Sequence, residues 1–131
     1  MLLVPTRTDP SLIPNAGMGL FAARDIPEGE IVWRFDPTVD RAMTEYAIQE
    51  LPFKERQEAL LWGYLCKRNG LWVVRGDEGR RINHSDTPNL SGVYTARMPF
   101  GYSLANRLIL AGEEITANYI DYDATFQSKR S

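Results

Sequence analysis

Cysteine and histidine each occur once, as Cys66 and His84. A single cysteine excludes a disulfide within the chain, and one of each excludes a zinc site built from cysteine and histidine ligands. Long apolar runs are missing too. A membrane-spanning helix needs about 20 apolar residues, yet the opening Met1-Leu2-Leu3-Val4 stops at Pro5. That stretch is also far short of a secretion-signal core, so the expected compartment is the cytoplasm, with no membrane partner. Neither sign of charge dominates: 15 Lys and Arg stand against 17 Asp and Glu, a net charge of −2. With a pI near 5.4 and no basic stripe, direct nucleic-acid binding is not expected. A mildly acidic protein is better suited to a basic peptide.

What is present fits one soluble domain. The chain has 131 residues, 44% apolar and 24% charged, enough to bury roughly two-thirds of the unfolded surface in a single core. Residues 1–131 are read as one domain. The densest polar stretch is Arg81-Ile82-Asn83-His84-Ser85-Asp86-Thr87-Pro88-Asn89. Short Ser, Asp and Asn side chains bond to nearby backbone and hold irregular conformations, while Pro88 restricts itself and Thr87. The run is therefore expected to be rigid without being regular.

Leu2-Leu3-Val4 reads as a short first strand, followed by a loop through Thr8, Asp9, Pro10, Pro14 and Asn15. Gly17-Met18-Gly19 ends the loop and allows positive φ and close backbone approach. It is not a dinucleotide fingerprint, because the third glycine and the preceding apolar strand are missing. Pro27 to Gly29 reads as a turn into the strand Ile31-Val32-Trp33. The phrase Arg24-Asp25-Ile26-Pro27-Glu28-Gly29-Glu30 is echoed by Arg107-Leu108-Ile109-Leu110-Ala111-Gly112-Glu113, which suggests the same turn built twice. Between Asp40 and Asn69 the period becomes helical: Met43, Tyr46, Ala47 and Leu51 share a face, and Phe53, Leu60, Leu61 and Tyr64 continue after Pro52. These aromatics are expected in the core, with Gly70 ending the helical region. Leu71 to Val74, Leu90 to Arg97 and Tyr102 to Leu110 read as strands, the last two half-buried and antiparallel. The fold class is mostly β with a helical insert (α+β).

A third stretch, Gly112-Glu113-Glu114-Ile115-Thr116-Ala117-Asn118-Tyr119, completes a pattern. Gly17-Met18-Gly19, Arg81 to Asn89 and Gly112 to Tyr119, in this order, resemble the signature blocks of the SET-domain family of protein lysine methyltransferases. The family's central block reads Arg-Phe-Ile-Asn-His-Ser-Cys-x-Pro-Asn, and its last block Gly-Glu-Glu-Leu-Thr-x-x-Tyr. The resemblance covers a core from about residue 15 to 122, leaving a tail from 123 to 131, and the brevity is similar to that of minimal viral and bacterial members. The resemblance implies a β-clip fold of small sheets in which the C-terminal segment passes beneath the loop carrying Asn83 and His84 as a pseudoknot. It implies S-adenosylmethionine as cofactor, a basic lysine-containing protein or peptide as substrate, and no metal. It places Gly17, Met18, Gly19, Tyr64, Arg80, Asn83 and His84 at the cofactor and Tyr119 as the catalytic tyrosine beside it. Tyr64, Ala117, Tyr122 and Phe126 would line the substrate channel.

The chemistry suits these residue types. Methyl transfer from a sulfonium to an amine needs alignment and exclusion of water more than a strong acid or base. The amine must first lose a proton from a group whose free pKa is about 10.4, and an aromatic, low-dielectric channel favours that loss. No carboxylate is evident by sequence to orient His84 as a general base. Arg81 stands where the family carries Phe and must reach solvent or a partner. Asp86 replaces Cys, and no cysteine triplet follows Tyr119. The alternative to an enzyme is a SET fold that has lost turnover and serves as an interaction module; a plain β-rich scaffold would require three coincidences. Trp33 and Trp62 fit either the core or a homodimer interface.

Overall fold

The structure, a computed structural model, describes residues 1–124; Phe126 lies outside the described residues. The strands are β1 (Thr6–Pro10), β2 (Met18–Ala22), β3 (Ile31–Arg34), β4 (Arg41–Met43), β5 (Tyr64–Leu65), β6 (Trp72–Val74), β7 (Asn83–His84), β8 (Leu90–Val93), β9 (Tyr102–Ala105) and β10 (Thr116–Ala117). Helices α1 (Glu45–Gln49) and α2 (Phe53–Trp62) sit between β4 and β5, and 3-10 turns cover Glu78–Arg81 and Tyr119–Asp121. The strands form small sheets ordered β1-β2, β3-β9-β8, β4-β6-β5 and β10-β7, the mostly-β architecture with a helical insert that the sequence implies.

The N-terminal reading needs correction. Leu2 makes only a single bridge to Trp33, and the Leu3 amide donates to the Val32 carbonyl at 2.9 Å. The first strand is β1, in the stretch read as loop. It pairs antiparallel with β2 from Thr6 opposite Ala22 to Pro10 opposite Met18. A partner strand, rather than an apolar pattern of its own, makes this polar segment extended. Pro10 sits at the strand's end, where a missing N–H is tolerated. Burial comes from β2, whose Leu20, Phe21 and Ala22 join the core with Ile26, Val32, Val73, Ile82, Ile109 and Ile115.

The echoed phrase is indeed one turn built twice. Arg24 meets Glu30 at 2.8 Å and Arg107 meets Glu113 at 2.9 Å. Gly29 and Gly112 both adopt φ of 89°, a left-handed conformation suited to glycine. The two copies pair through an antiparallel bridge between the fully buried Ile26 and Ile109.

In the insert, α1 is capped by the Thr44 hydroxyl, which accepts from the Ala47 amide at 3.1 Å, and α2 begins after Pro52. Met43 belongs to β4, and the helical region ends at Gly63 because the next residues pair with β6. Tyr46 and Phe53, expected in the core, are 75% and 71% exposed, and the inward residues are Ile48 and Ala59. Both helices lie outside an already paired sheet and need only small inward faces. Trp33 is 2% exposed and belongs to the core.

Candidate functional site

The polar run and the C-terminal segment are clasped together. Strands β7 and β10 pair in parallel, Asn83 opposite Thr116 and His84 opposite Ala117. The Ser85 amide donates to the Ala117 carbonyl at 3.0 Å. Buried Asn89 extends the clasp: its Oδ1 accepts from the Thr116 amide at 2.9 Å and its Nδ2 donates to the Glu114 carbonyl at 2.8 Å. His84 is locked within the clasp, its Nδ1 accepting from the Tyr119 amide at 3.1 Å and its Nε2 lying 2.9 Å from Asp86 Oδ1. Nδ1 is thereby the unprotonated nitrogen and Nε2 carries hydrogen, an assignment made from the hydrogen bonds. The carboxylate partner that sequence did not reveal is Asp86, two residues on.

The clasp carries the glycine turn with it. Asn83 Nδ2 donates to the Met18 carbonyl at 3.0 Å and to Glu114 Oε2 at 3.1 Å. Glu114 also accepts from the Ser11 hydroxyl at 2.8 Å and the Leu12 amide at 3.1 Å. Gly17 has φ of 74°, and a Cβ on Gly19 would lie 2.6 Å from the Glu114 carboxylate. Beside this junction lies a cavity of about 320 Å³ whose walls include Gly17, Met18, Tyr64, Arg80, Asn83, Tyr119 and Tyr122. Gly19 and His84 support that wall from behind without lining it. Ala117 lines a second, much smaller cavity of about 20 Å³.

Aromatic rings separate the two cavities. Tyr122 lies edge-on to Tyr64, with centroids 4.8 Å apart, and to Tyr119 at 5.7 Å. The Tyr119 hydroxyl donates to the Ile82 carbonyl at 2.5 Å. Burial raises the Tyr119 phenol above its ordinary value near 10 and pushes that of Tyr64 up to about 12. Both are protonated at neutral pH and serve as donors, not bases. Among the rings sits Arg75, only 8% exposed, with its guanidinium 4.5 Å from the Trp33 ring centroid, 5.1 Å from Tyr64 and 5.5 Å from Tyr122. Burial works against its charge, but Tyr122, Tyr64 and Tyr119 more than offset that, so its pKa lies above the ordinary 12.5.

Sequence reading missed Arg75 as a site residue. A period-2 signal was available: Arg75 is two residues beyond Val73 and shares its inward face, Val73 being fully buried. Trp62 was also missed at the site, where it stacks near Arg80 at 5.0 Å and Arg81 at 5.4 Å. Arg81 finds its partner in Glu78, 2.5 Å away. Among the described residues, no group of three or more His, Cys, Asp or Glu side chains is placed to hold a metal, and no helix is long and apolar enough to cross a membrane.

A β-clip of small sheets, with a parallel two-strand clasp over an aromatic cavity, defines the class of domain. The chain belongs to the SET domain family, which matches residues 17–120. It is 30% identical over 129 residues to the histone-lysine N-methyltransferase set5 of Schizosaccharomyces pombe, covering 83% of this chain and 40% of that protein. It thus spans less than half the length of that relative. The Chaetomium thermophilum Polycomb Repressive Complex 2 bound to GSK126 contains a similar fold, with a TM-score of 0.70 and 26% identity over 97% of this chain and 17% of the other. A ctPRC2 structure in an autoinhibited conformation bound to S-adenosylmethionine gives 0.68 and 25% identity over 97% of this chain and 16% of that one.

Proposed function

We propose that the chain is an S-adenosylmethionine-dependent methyltransferase acting on a lysine side chain of a basic protein or peptide. The observation that carries this reading is the convergence of Gly17, Met18, Tyr64, Asn83 and Tyr119, distant in sequence, on one cavity of about 320 Å³. The relatives' names agree: one is a histone-lysine N-methyltransferase, and one similar structure is bound to S-adenosylmethionine. The residues present fit that cofactor. The open glycine turn and the Asn83 junction would hold its amino-acid end, Arg80 stands ready for a carboxylate, and the faces of Trp62, Tyr64 and Tyr122 suit an adenine. When bound, S-adenosylmethionine supplies a methyl group on a sulfonium. Tyr119, protonated and fixed against Ile82, would orient the amine through its hydroxyl oxygen, with Tyr64 and Tyr122 excluding water. His84 is not a base here, because its free lone pair already accepts the Tyr119 amide.

The test is calorimetric titration with S-adenosylmethionine of the wild type and of Asn83→Ala, followed by transfer of a labelled methyl group to proteins of a cell lysate. Micromolar binding lost in the variant, with label on lysine, is the expected result; wild-type protein that does not bind would sink the proposal. A second reading, a silent SET-fold interaction module, is favoured by one observation: Arg75 fills the aromatic cage, leaving only about 20 Å³ beyond it. Cofactor binding without any transfer would select it.

A further inference from the structure

We infer that Arg75 makes the site accept its target amine in the neutral form: a fixed guanidinium set among the rings of Trp33, Tyr64 and Tyr122 repels an incoming ammonium and so favours the nucleophilic free amine. This rests on the methyltransferase reading above, and it answers a need that the rest of the site leaves open. Methyl transfer consumes a neutral amine, and His84, Glu114 and Tyr119, beside the reacting position, are each committed to other hydrogen bonds. The lone pair of His84 is used by Tyr119. The Glu114 carboxylate already accepts from Ser11, Leu12 and Asn83. Tyr119 holds its proton toward Ile82.

Arg75 is placed for the role. With Tyr64 and Tyr122 it lines both cavities, so it stands at the junction between them. It pairs with no carboxylate at salt-bridge distance among the described residues; its contacts are a 3.4 Å hydrogen bond to the Gly79 carbonyl, one to the Tyr122 hydroxyl, and the aromatic faces. Its Nε has no hydrogen-bond partner among the described residues. Burying an uncompensated cation is costly, and cation–π contacts recover only part of that, so the charge is kept at a cost in stability. A like charge in a low-dielectric site disfavours the ammonium. Free lysine, with a pKa of about 10.4, is neutral in roughly one molecule in 2,500 at pH 7; lowering that pKa by about two units makes it roughly one in 25, a hundredfold gain in the reactive form.

Other charges face the same space. From the β5 side come Tyr64 and the Cys66 thiol, and from the C-terminal segment Tyr119, Tyr122 and the Asp123 carboxylate, which lines the larger cavity. The 3-10 turn contributes Arg80 and Arg81, both paired with Glu78, Arg81 at 2.5 Å and Arg80 at 3.8 Å. Tyr94 feels Arg75 from the second cavity, and Asp40 acts on Tyr64 from further off. Asp123 favours an ammonium and so opposes Arg75; Arg80 adds to it. Tyr64, Tyr119 and Tyr122 all lie above their ordinary value.

The experiment is calorimetric titration of the full chain with Nα-acetyl-lysine methylamide from pH 6 to pH 10, with and without S-adenosylhomocysteine, for wild type, Arg75→Met and Arg75→Gln. Wild-type affinity should be roughly thirtyfold higher at pH 10 than at pH 7, as required when the bound amine's pKa is about two units below the free one. In the variants the ratio should shrink to a few-fold or less, because the aromatic cage then holds the ammonium. Wild-type affinity that is flat or falls with pH, undetectable amine binding, or folded variants that keep the wild-type ratio would each overturn the inference. The wild-type scan decides even if neither variant folds. Methyl transfer to poly-L-lysine is measured in parallel. Absent transfer and absent cofactor binding beside an intact pH ratio would remove the methyltransferase reading and leave the charge effect standing.

Discussion

Replacing Asn89 by alanine should loosen the clasp that holds the C-terminal strand under the polar loop. Asn89 is 2% exposed and Thr116 9%. The truncation strands the Thr116 amide, which lost its acceptor at 2.9 Å, and the Glu114 carbonyl, which lost its donor at 2.8 Å. A buried polar group left unpaired costs about 1–3 kcal/mol, so the two together cost about 2–6 kcal/mol. For a domain of this size that lowers Tm by roughly 7–22 °C. The assay is urea unfolding followed by circular dichroism, where the midpoint should fall with little change in slope. Asn89→Asp sharpens the test: it still accepts from Thr116, but at pH 7 it sets a carboxylate oxygen against the Glu114 carbonyl. Its carboxyl pKa is then raised by folding, so stability lost at neutral pH should return as pH falls and the protonated oxygen donates to Glu114. Alanine within about 1 kcal/mol of wild type, or aspartate equal to wild type at pH 7, would refute the reasoning.

Tyr119→Phe should abolish turnover while cofactor affinity, read by calorimetry, largely persists; unchanged turnover would remove Tyr119 from the chemistry. Gly19→Ala puts a Cβ 2.6 Å from the Glu114 carboxylate and 3.3 Å from Asn83 Nδ2, so cofactor affinity should drop at least tenfold, and an unaltered affinity would mean that the junction does not shape the cavity. In acid, hydrogen bonds hold Glu30 (from Arg24) and Glu113 (from Arg107) below their ordinary 4.5, and Asp36 (from Thr38) below 3.8. Depressed carboxyl values give stability that is present above the unfolded values and lost as pH falls through the folded ones. Urea midpoints should therefore be level from pH 7 to about 5 and decline below 4.5, with a shallower decline in a Glu30→Gln, Glu113→Gln double variant.

Sequence revealed the site better than the frame around it, for a physical reason in each case. The repeated Arg-to-Glu turn was legible because an ion pair and a left-handed glycine need particular residues at fixed spacing, and Gly29 and Gly112 supply them. Strand β1 was illegible because its extended form is imposed by β2 across the hairpin. Tyr46 and Phe53 misled because helical spacing marks a face without saying whether anything covers it. Arg75 escaped notice because a charge at a strand's end, followed closely by Asp77 and Glu78, reads as solvent-facing. Its partners are aromatic rings brought from β3, β5 and the C-terminal segment, and no local pattern encodes them.

The three polar blocks, in contrast, were legible together because they are one contact seen three times along the chain. Asn83 Nδ2 bridges the Met18 carbonyl and the Glu114 carboxylate, and Glu114 reaches on to Ser11 and Leu12. The space that a side chain on Gly19 would need is already taken by Glu114 and Asn83. Each block constrains the others: a larger residue at 19 displaces the carboxylate, loss of the carboxylate frees Asn83, and a freed Asn83 releases the turn at Met18. Beside this closed circuit β10 runs parallel to β7, and three residues beyond Thr116 the same segment delivers Tyr119 to the cavity wall. The hydroxyl is in turn held by the carbonyl of Ile82, the residue before Asn83. Variants at Asn83, Glu114 and Gly19 should consequently be non-additive in cofactor affinity, any two costing about as much as one; full additivity would mean that the three residues act separately.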